Sequence, residues 1–190
     1  MLADPEGRRL TATTARFERP QIFEWLSTRA SVPNRRDWAI KNDETGEFLG
    51  EVVLNEFNDA KNSINLRIAL RGPQLYGQGI GTQAVTLALE YAFDELMVEK
   101  VTLEVLVENT RAQRVYEKVG FVAKRQFNEG KHRFQRMSAT RLDFIRSWAE
   151  LEMAKHLDMN VWRLEFDNAK TRAGVCKHDQ KVIGLSRLFI

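Results

Sequence analysis

A change of hydrophobic period, with three glycines at the point of change, limits what this chain can fold into. INLRIAL alternates, with Ile64, Leu66, Ile68 and Leu70 on one face, which is the period of a strand. Residues 82–96 instead place Val85, Leu89, Ala92, Phe93 and Leu96 on one helical stripe, widened by Ala84, Ala88 and Tyr91. Between them lies RGPQLYGQGIGT, with Gly77, Gly79 and Gly81. KVTLEVLV then returns to alternation through Val101, Leu103, Val105 and Val107. A strand, a glycine-rich turn, a long helix and a second strand predict a parallel crossover.

The flanking segments extend this to an α+β fold with a mixed central sheet. DWAIKN, FLGEVVLNEF and INLRIAL are joined by polar turns and predict a three-stranded antiparallel meander. After KVTLEVLV, ENTRAQRVYEKV reads as a helix stopped by Gly120. FVAKRQF and HRFQRMSATRL then form a strand pair around Asn128–Glu129–Gly130. Upstream, residues 1–36 are irregular apart from one helix in ARFERPQIFEWLSTRA, where Ile22, Phe23, Trp25 and Leu26 could pack. Downstream, an amphipathic helix carries Phe144, Ile145, Trp148 and Leu151. Two strands, VWRLEF and KVIGLSRLFI, follow around the turn-rich DNAKTRAGVCKHDQ. The division is a domain over 1–142 and an extension over 143–190.

Composition narrows the class of protein. With 29 Lys and Arg against 26 Asp and Glu, the net charge is +3 over 190 residues, too mild for a nucleic-acid coat. No apolar stretch approaches the length of a membrane span, and MLADPEGRRL lacks the apolar core of a signal peptide. One cysteine, Cys176, cannot form an internal disulfide, so a reducing, cytoplasmic setting is expected. His132, His156, His178 and Cys176 have no tetrahedral spacing, so no metal is expected.

The glycine segment carries chemistry. Glycines at a strand-to-helix turn let backbone N–H groups converge, and the helix N-terminus adds partial positive charge. The N–H groups of Gln78 through Thr82 could hold a phosphate or pyrophosphate. No G-K-[ST] follows, which excludes the ATPase phosphate loop. The spacing G-x-G-x-G, after antiparallel hairpins, does not fit a dinucleotide fold. One strand later, Asn109 opens a helix and Tyr116 lies one turn from its end. Alone, Asn109 reads as an N-cap and Tyr116 as a half-buried aromatic.

Together these residues resemble the Gcn5-related N-acetyltransferases, in particular the branch that acetylates ribosomal-protein N-termini and small amines. The family's acetyl-CoA loop, [Q/R]-x-x-G-x-[G/A], matches Tyr76, Gly77, Gln78, Gly79, Ile80 and Gly81, with Tyr76 in place of the leading Gln or Arg. Its second signature, N-x-x-[S/A]-x-x-x-Y-x-K-x-G-F, matches Asn109, Ala112, Tyr116, Lys118, Gly120 and Phe121. The resemblance spans roughly Asp37 to Leu142.

It implies that INLRIAL and KVTLEVLV splay apart and admit the pantetheine arm of acetyl-CoA. Ile68, Ala69 and Leu70 would hold that arm and present an N–H to the thioester oxygen. The pyrophosphate would rest on Gln78–Thr82, Asn109 would contact the pantetheine or order the splay, and Tyr116 would assist the departing thiolate. Many members carry a Glu where this chain has Asn65. Glu51 and Glu104 are substitutes as base, with Glu51 preferred because its strand precedes the splayed one. The implied function is transfer of acetyl from acetyl-CoA to a primary amine, a protein N-terminus or a small molecule. The alternative is a non-catalytic acetyl-CoA-binding or interaction protein. Members also carry a strand and two helices before the hairpins, for which 36 residues leave little room.

Residues 156–190 resemble the opening of SprT-like metallopeptidase domains, but no H-E-x-x-H exists in the chain, so peptidase chemistry is not implied. This segment is expected to be a remnant, a truncated domain or an appended interaction element. Its final apolar strand is expected to be a free edge, which invites pairing with the chain's own sheet or a second copy as a homodimer.

Overall fold

The computed structural model describes residues 4–15, 18–29 and 31–190. Its main sheet has the predicted mixed topology. Strands β1 (Arg36–Lys41), β2 (Phe48–Asn58) and β3 (Ser63–Leu70) form the antiparallel meander. Helix α3 (Ile80–Asp94) crosses over to β4 (Lys100–Leu106), which runs parallel to β3. Helix α4 (Thr110–Lys118) leads to β5 (Val122–Glu129) and β6 (His132–Thr140), giving the order β1-β2-β3-β4-β6-β5. The long helix begins at Ile80, two residues before the periodicity suggests, because Gly79 turns the chain with a φ of 81°.

One sheet face makes the core. Val52, Leu54, Ile64, Leu66, Val101, Leu103 and Met137 pack under Val85, Leu89, Ala92 and Phe93 of α3, and Tyr116 of α4 joins them. Trp38 meets Tyr91 edge-on at 5.0 Å. The first six of those sheet residues are apolar and alternate along their strands, so the period of two decides which face α3 covers. Alternate residues of β2 and β3, including Glu51, Asn55, Asn65 and Arg67, belong to the opposite face.

The N-terminal region departs from expectation. It holds two helices, α1 (Pro5–Leu10) and α2 (Arg19–Arg29), so 36 residues suffice for both. Asp4 caps α1, accepting from the amides of Glu6 and Gly7 at 3.3 and 2.8 Å. The ends of the expected ARFERPQIFEWLSTRA helix at Arg16, Phe17 and Ala30 lie outside the described residues, as do Met1–Ala3. Packing of Phe23, Trp25 and Leu26 does not occur: all three are exposed, Phe23 at 70%. The Trp25 ring instead has two cations over it, Arg29 of the same helix and Arg35 beyond it, with guanidinium groups 4.4 and 5.5 Å from its centroid.

The C-terminal segment also needs correction. Helix α5 starts at Arg141 (Arg141–Met153), fixed by a reciprocal capping box between Thr140 and Asp143. Phe144 packs on Phe93 with ring centroids 6.0 Å apart, which joins α5 to the main core. Gly120, at φ 99°, permits this approach, since a Cβ there would lie 2.7 Å from the Asp143 carbonyl oxygen. Three strands follow rather than two: β7 (Arg163–Asp167), β8 (Gly174–Lys177) and β9 (Val182–Ser186). The final strand is not a free edge. β9 lies centrally in the order β7-β9-β8, with both neighbours hydrogen-bonded, and residues Arg187–Phe189 turn into a 3-10 helix.

Candidate active site

The site begins where the central ladder stops. β3 and β4 pair only at Ser63–Lys100, Ile64–Val101 and Asn65–Thr102. Beyond that point β3 continues to Leu70 and β4 to Leu106 without pairing to each other. Arg71 donates its amide to the Leu49 carbonyl at 2.7 Å, and the β2–β3 register keeps this phase. Backbone groups alternate in direction along a strand, so Ala69 faces β2, whereas Leu66, Ile68 and Leu70 turn their N–H and C=O toward the gap. The same reasoning from the Val107–Arg133 bond at 2.9 Å turns the Glu104 and Leu106 backbone away from β6, toward the gap.

Gln113 secures the far side of the gap, and sequence reasoning missed it. Its amide donates to the Leu106 and Val107 carbonyls at 3.2 and 2.9 Å, fastening α4 to the end of β4. Asn109 acts as N-cap: its Oδ1 accepts from the Ala112 amide at 3.2 Å. That satisfies one of the unpaired first-turn donors and fixes the angle at which α4 leaves the strand.

The glycine segment forms an open amide cradle at the start of α3. Gly77 and Gly79 have φ values of 77° and 81°, a backbone that other residues rarely adopt. The first helical hydrogen bond runs from Gln83 to the Gly79 carbonyl at 3.0 Å. The amides of Ile80, Gly81 and Thr82 therefore have no acceptor inside the helix. Gly81 is the informative glycine. Its φ is not positive, and a Cβ there would meet nothing within 4 Å. The fold does not require glycine at 81, but a bulky anion approaching the helix end would use that open space. Both the unpaired amides and the cleared approach fit a pyrophosphate. Gln78 donates its side-chain amide to the Gln74 carbonyl at 2.6 Å, bracing the loop.

Tyr76 lies beside this cradle with the Arg111 guanidinium 3.8 Å from its ring centroid. Burial raises the Tyr76 phenol pKa, and Asp4 of the α1 cap adds to the rise. Helix α1 also reaches the β4–α4 connection, where Arg9 donates to Glu108 at 2.7 Å.

Tyr116 is buried in the last turn of α4, its ring edge-on to Phe121 at 5.7 Å. Burial pushes its phenol up to about 12, so the proton stays in place through neutral pH. Against a reference thiol near 8.5, complete proton transfer is uphill by about 5 kcal/mol. Tyr116 is thus equipped to donate a hydrogen bond rather than to give up its proton.

Glu51 occupies the sheet face away from α3. It stands between Ala39 of β1 and Ala69 of β3, two methyl groups that leave room around the carboxylate. Burial raises its pKa, and Asp37 raises it further, against the opposing pull of Arg67 and Arg35. A carboxylate with raised pKa is a stronger base. Glu104, the other candidate, is engaged by the Arg136 guanidinium. Asn65 donates to Asn55 at 3.0 Å and has no basic group. Glu51 and Tyr116 thus lie on opposite faces of the sheet, Tyr116 in the core under α3 and Glu51 on the other side.

A mixed sheet parted at its centre, with an amide cradle at the opening, defines an acyltransferase architecture. The family described as acetyltransferase (GNAT) domain matches residues 1–122, and the chain belongs to it. The spermidine N(1)-acetyltransferase of Vibrio cholerae is 34% identical over 83 residues, 44% of this chain and 47% of that protein. Its Escherichia coli counterpart is 37% identical over 76 residues, 40% of each. The chain thus matches less than half the length of these relatives. Among solved structures, a spermidine N-acetyltransferase from Vibrio cholerae in complex with CoA and spermine superposes with a TM-score of 0.66 at 22% identity. It covers 74% of this chain and 85% of that one, a likeness of fold. Among the described residues no helix is long and apolar enough to cross a membrane.

Proposed function

We propose that this chain is an acetyl-CoA-dependent N-acetyltransferase whose acceptor is a small polyamine. The observation that carries the reading is the parting of β3 from β4 after Asn65 and Thr102, directly upstream of the amide cradle at Ile80–Thr82. The curated relatives support the acceptor class, since both are spermidine acetyltransferases.

Acetyl-CoA, when bound, supplies the activated acyl group. The chain's own residues do the rest. The Ile68 and Leu70 backbone groups, unpaired with β4, hold an extended arm by strand-like hydrogen bonds and direct an N–H at a developing oxyanion. The amides of Ile80, Gly81 and Thr82 hold the pyrophosphate, with Gln78 and Tyr76 shaping the loop and Asn109 and Ala112 setting the pitch of α4. Glu51 takes a proton from the acceptor ammonium, directly or through water, and Tyr116 donates a hydrogen bond to the sulfur that leaves. The reaction belongs to residues 1–142, in the reducing cytoplasm, where the exposed Cys176 stays a thiol. Residues 143–190 are an appendage to that chemistry.

Release of coenzyme A thiol with a panel of amines tests the reading. Spermidine-dependent release above the rate without acceptor supports it. Release with peptide N-termini alone would reassign the acceptor, and no release with any amine would leave a non-catalytic acetyl-CoA binder.

A further inference from the structure

The sheet face that α3 leaves uncovered carries a charge pattern that proton transfer at Glu51 does not explain. Val53 pairs with Asp37 on one side and Arg67 on the other, and Glu51 pairs with Ala39 and Ala69. Residues two apart on a strand share a face, so Asp37 and Arg67 stand on the two diagonals from Glu51. Residues across such a diagonal are about 7–8 Å apart. After burial, Asp37 is the largest influence raising the Glu51 pKa. Asp37 is itself a held carboxylate. Arg35 donates to both its oxygens, from Nε at 2.7 Å and from a terminal nitrogen at 2.8 Å. The same guanidinium lies 5.5 Å from the Trp25 ring, so α2 helps to anchor the pair. The Arg35 side chain is 12% exposed and that of Asp37 28%, which makes the cation the covered partner and the carboxylate the open one. A carboxylate offers about four lone-pair sites, of which Arg35 takes two.

We propose that Asp37 is a specificity-determining residue, receiving the second ammonium of a diamine or polyamine while Glu51 receives the amine to be acetylated. The inference rests on the polyamine reading and names the spacing of charges that this chain selects. Two ammonium groups separated by three or four methylenes reach both carboxylates of the diagonal, each nitrogen within hydrogen-bond distance of its own. Arg67 sets the direction. Its guanidinium forms no ion pair or hydrogen bond among the described residues, so an acceptor laid along the other diagonal would bring like charges together. Ala39 and Ala69, the neighbours of Glu51, leave the methylene chain room to lie along the sheet. Arg35 is a positioning residue. Its two parallel hydrogen bonds fix the plane of the Asp37 carboxylate, and it acts on the acceptor only through that group.

Initial rates of coenzyme A release with propylamine, butylamine, 1,3-diaminopropane, 1,4-diaminobutane and spermidine test this in the full chain and its Asp37→Asn and Arg35→Gln variants. The parent chain should favour each diamine over its matched monoamine in kcat/KM by about tenfold or more. Asp37→Asn should erase most of that preference by raising KM for the diamines and spermidine. Its kcat at saturation and its monoamine constants should stay near the parent values. Arg35→Gln should raise the same KM values by a smaller factor. Monoamine turnover reports the fold and Glu51 in each variant, so a loss shared by both amine classes overturns the specificity role. Equal kcat/KM for matched monoamines and diamines in the parent chain also overturns it, while leaving the acetyltransferase reading intact. Release with no amine of either class overturns the acceptor reading and this inference together.

Discussion

Glu51 stands directly opposite Ala69 across the β2–β3 ladder, one residue from Ile68 and Leu70, whose backbone groups face the gap. The carboxylate is thus next to the strand proposed to hold the thioester, on the sheet face that α3 leaves uncovered. Its pKa is raised chiefly by burial.

A general base must be deprotonated to act, so activity should fall as pH drops through the Glu51 pKa. The acid limb of kcat/KM should therefore lie above the ordinary carboxylate range. Glu51→Gln should lower kcat/KM by about a hundredfold or more, remove that limb and leave acetyl-CoA affinity unchanged. Ala69→Leu should crowd the carboxylate and lower kcat with little change in cofactor binding. Steady-state pH profiles with a polyamine acceptor read both effects.

Tyr116→Phe should reduce turnover while acetyl-CoA affinity stays near the parent value. Stability carries a second signature. The folded phenol stays neutral up to about 12, while an unfolded one ionises near 10. Stability assigned to Tyr116 is complete below pH 10 and is lost as pH rises from about 10 to about 12. Chemical denaturation across that window should show a decline that the Phe variant lacks in part.

The two glycines of the cradle should separate by mechanism. Gly81→Ala should stabilise the apo fold by about 0.5–1 kcal/mol, since the site is helical and a Cβ meets nothing. It should weaken acetyl-CoA by occupying the approach to the amides. Gly79→Ala should destabilise the fold by about 1–2 kcal/mol, because φ is 81° there. Thermal melts paired with cofactor titration distinguish the two.

Asn109→Ala should cost about 1 kcal/mol of stability through loss of the α4 cap. If Asn109 acts through that cap, Asn109→Asp should restore both stability and cofactor affinity. Recovery of stability without affinity would point to direct contact with the ligand.

The main sheet was legible because its signals are local. The alternation in INLRIAL, the switch to a helical stripe before Val85 and the Gly120 stop each reflect one element's own periodicity. The splay is different: no residue encodes it alone, and it was reachable only through the resemblance carried by Gly77–Gly81 and Asn109–Phe121. Gln113 gave no signal, since its role depends on where β4 ends. β8 was hidden because Gly174 and its neighbours read as a turn, and its pairing with β9 is set by tertiary contact. The α2 residues Phe23, Trp25 and Leu26 misled because an apolar cluster does not reveal whether an apolar surface awaits it.

The central claim is that the gap between β3 and β4, with the cradle at Ile80–Thr82, receives acetyl-CoA. Isothermal titration of the full chain with acetyl-CoA tests this most directly. Saturable one-site binding, weakened by Gly81→Ala in a chain of unimpaired stability, is the predicted result. No binding up to millimolar acetyl-CoA, or binding indifferent to Gly81→Ala, would contradict it.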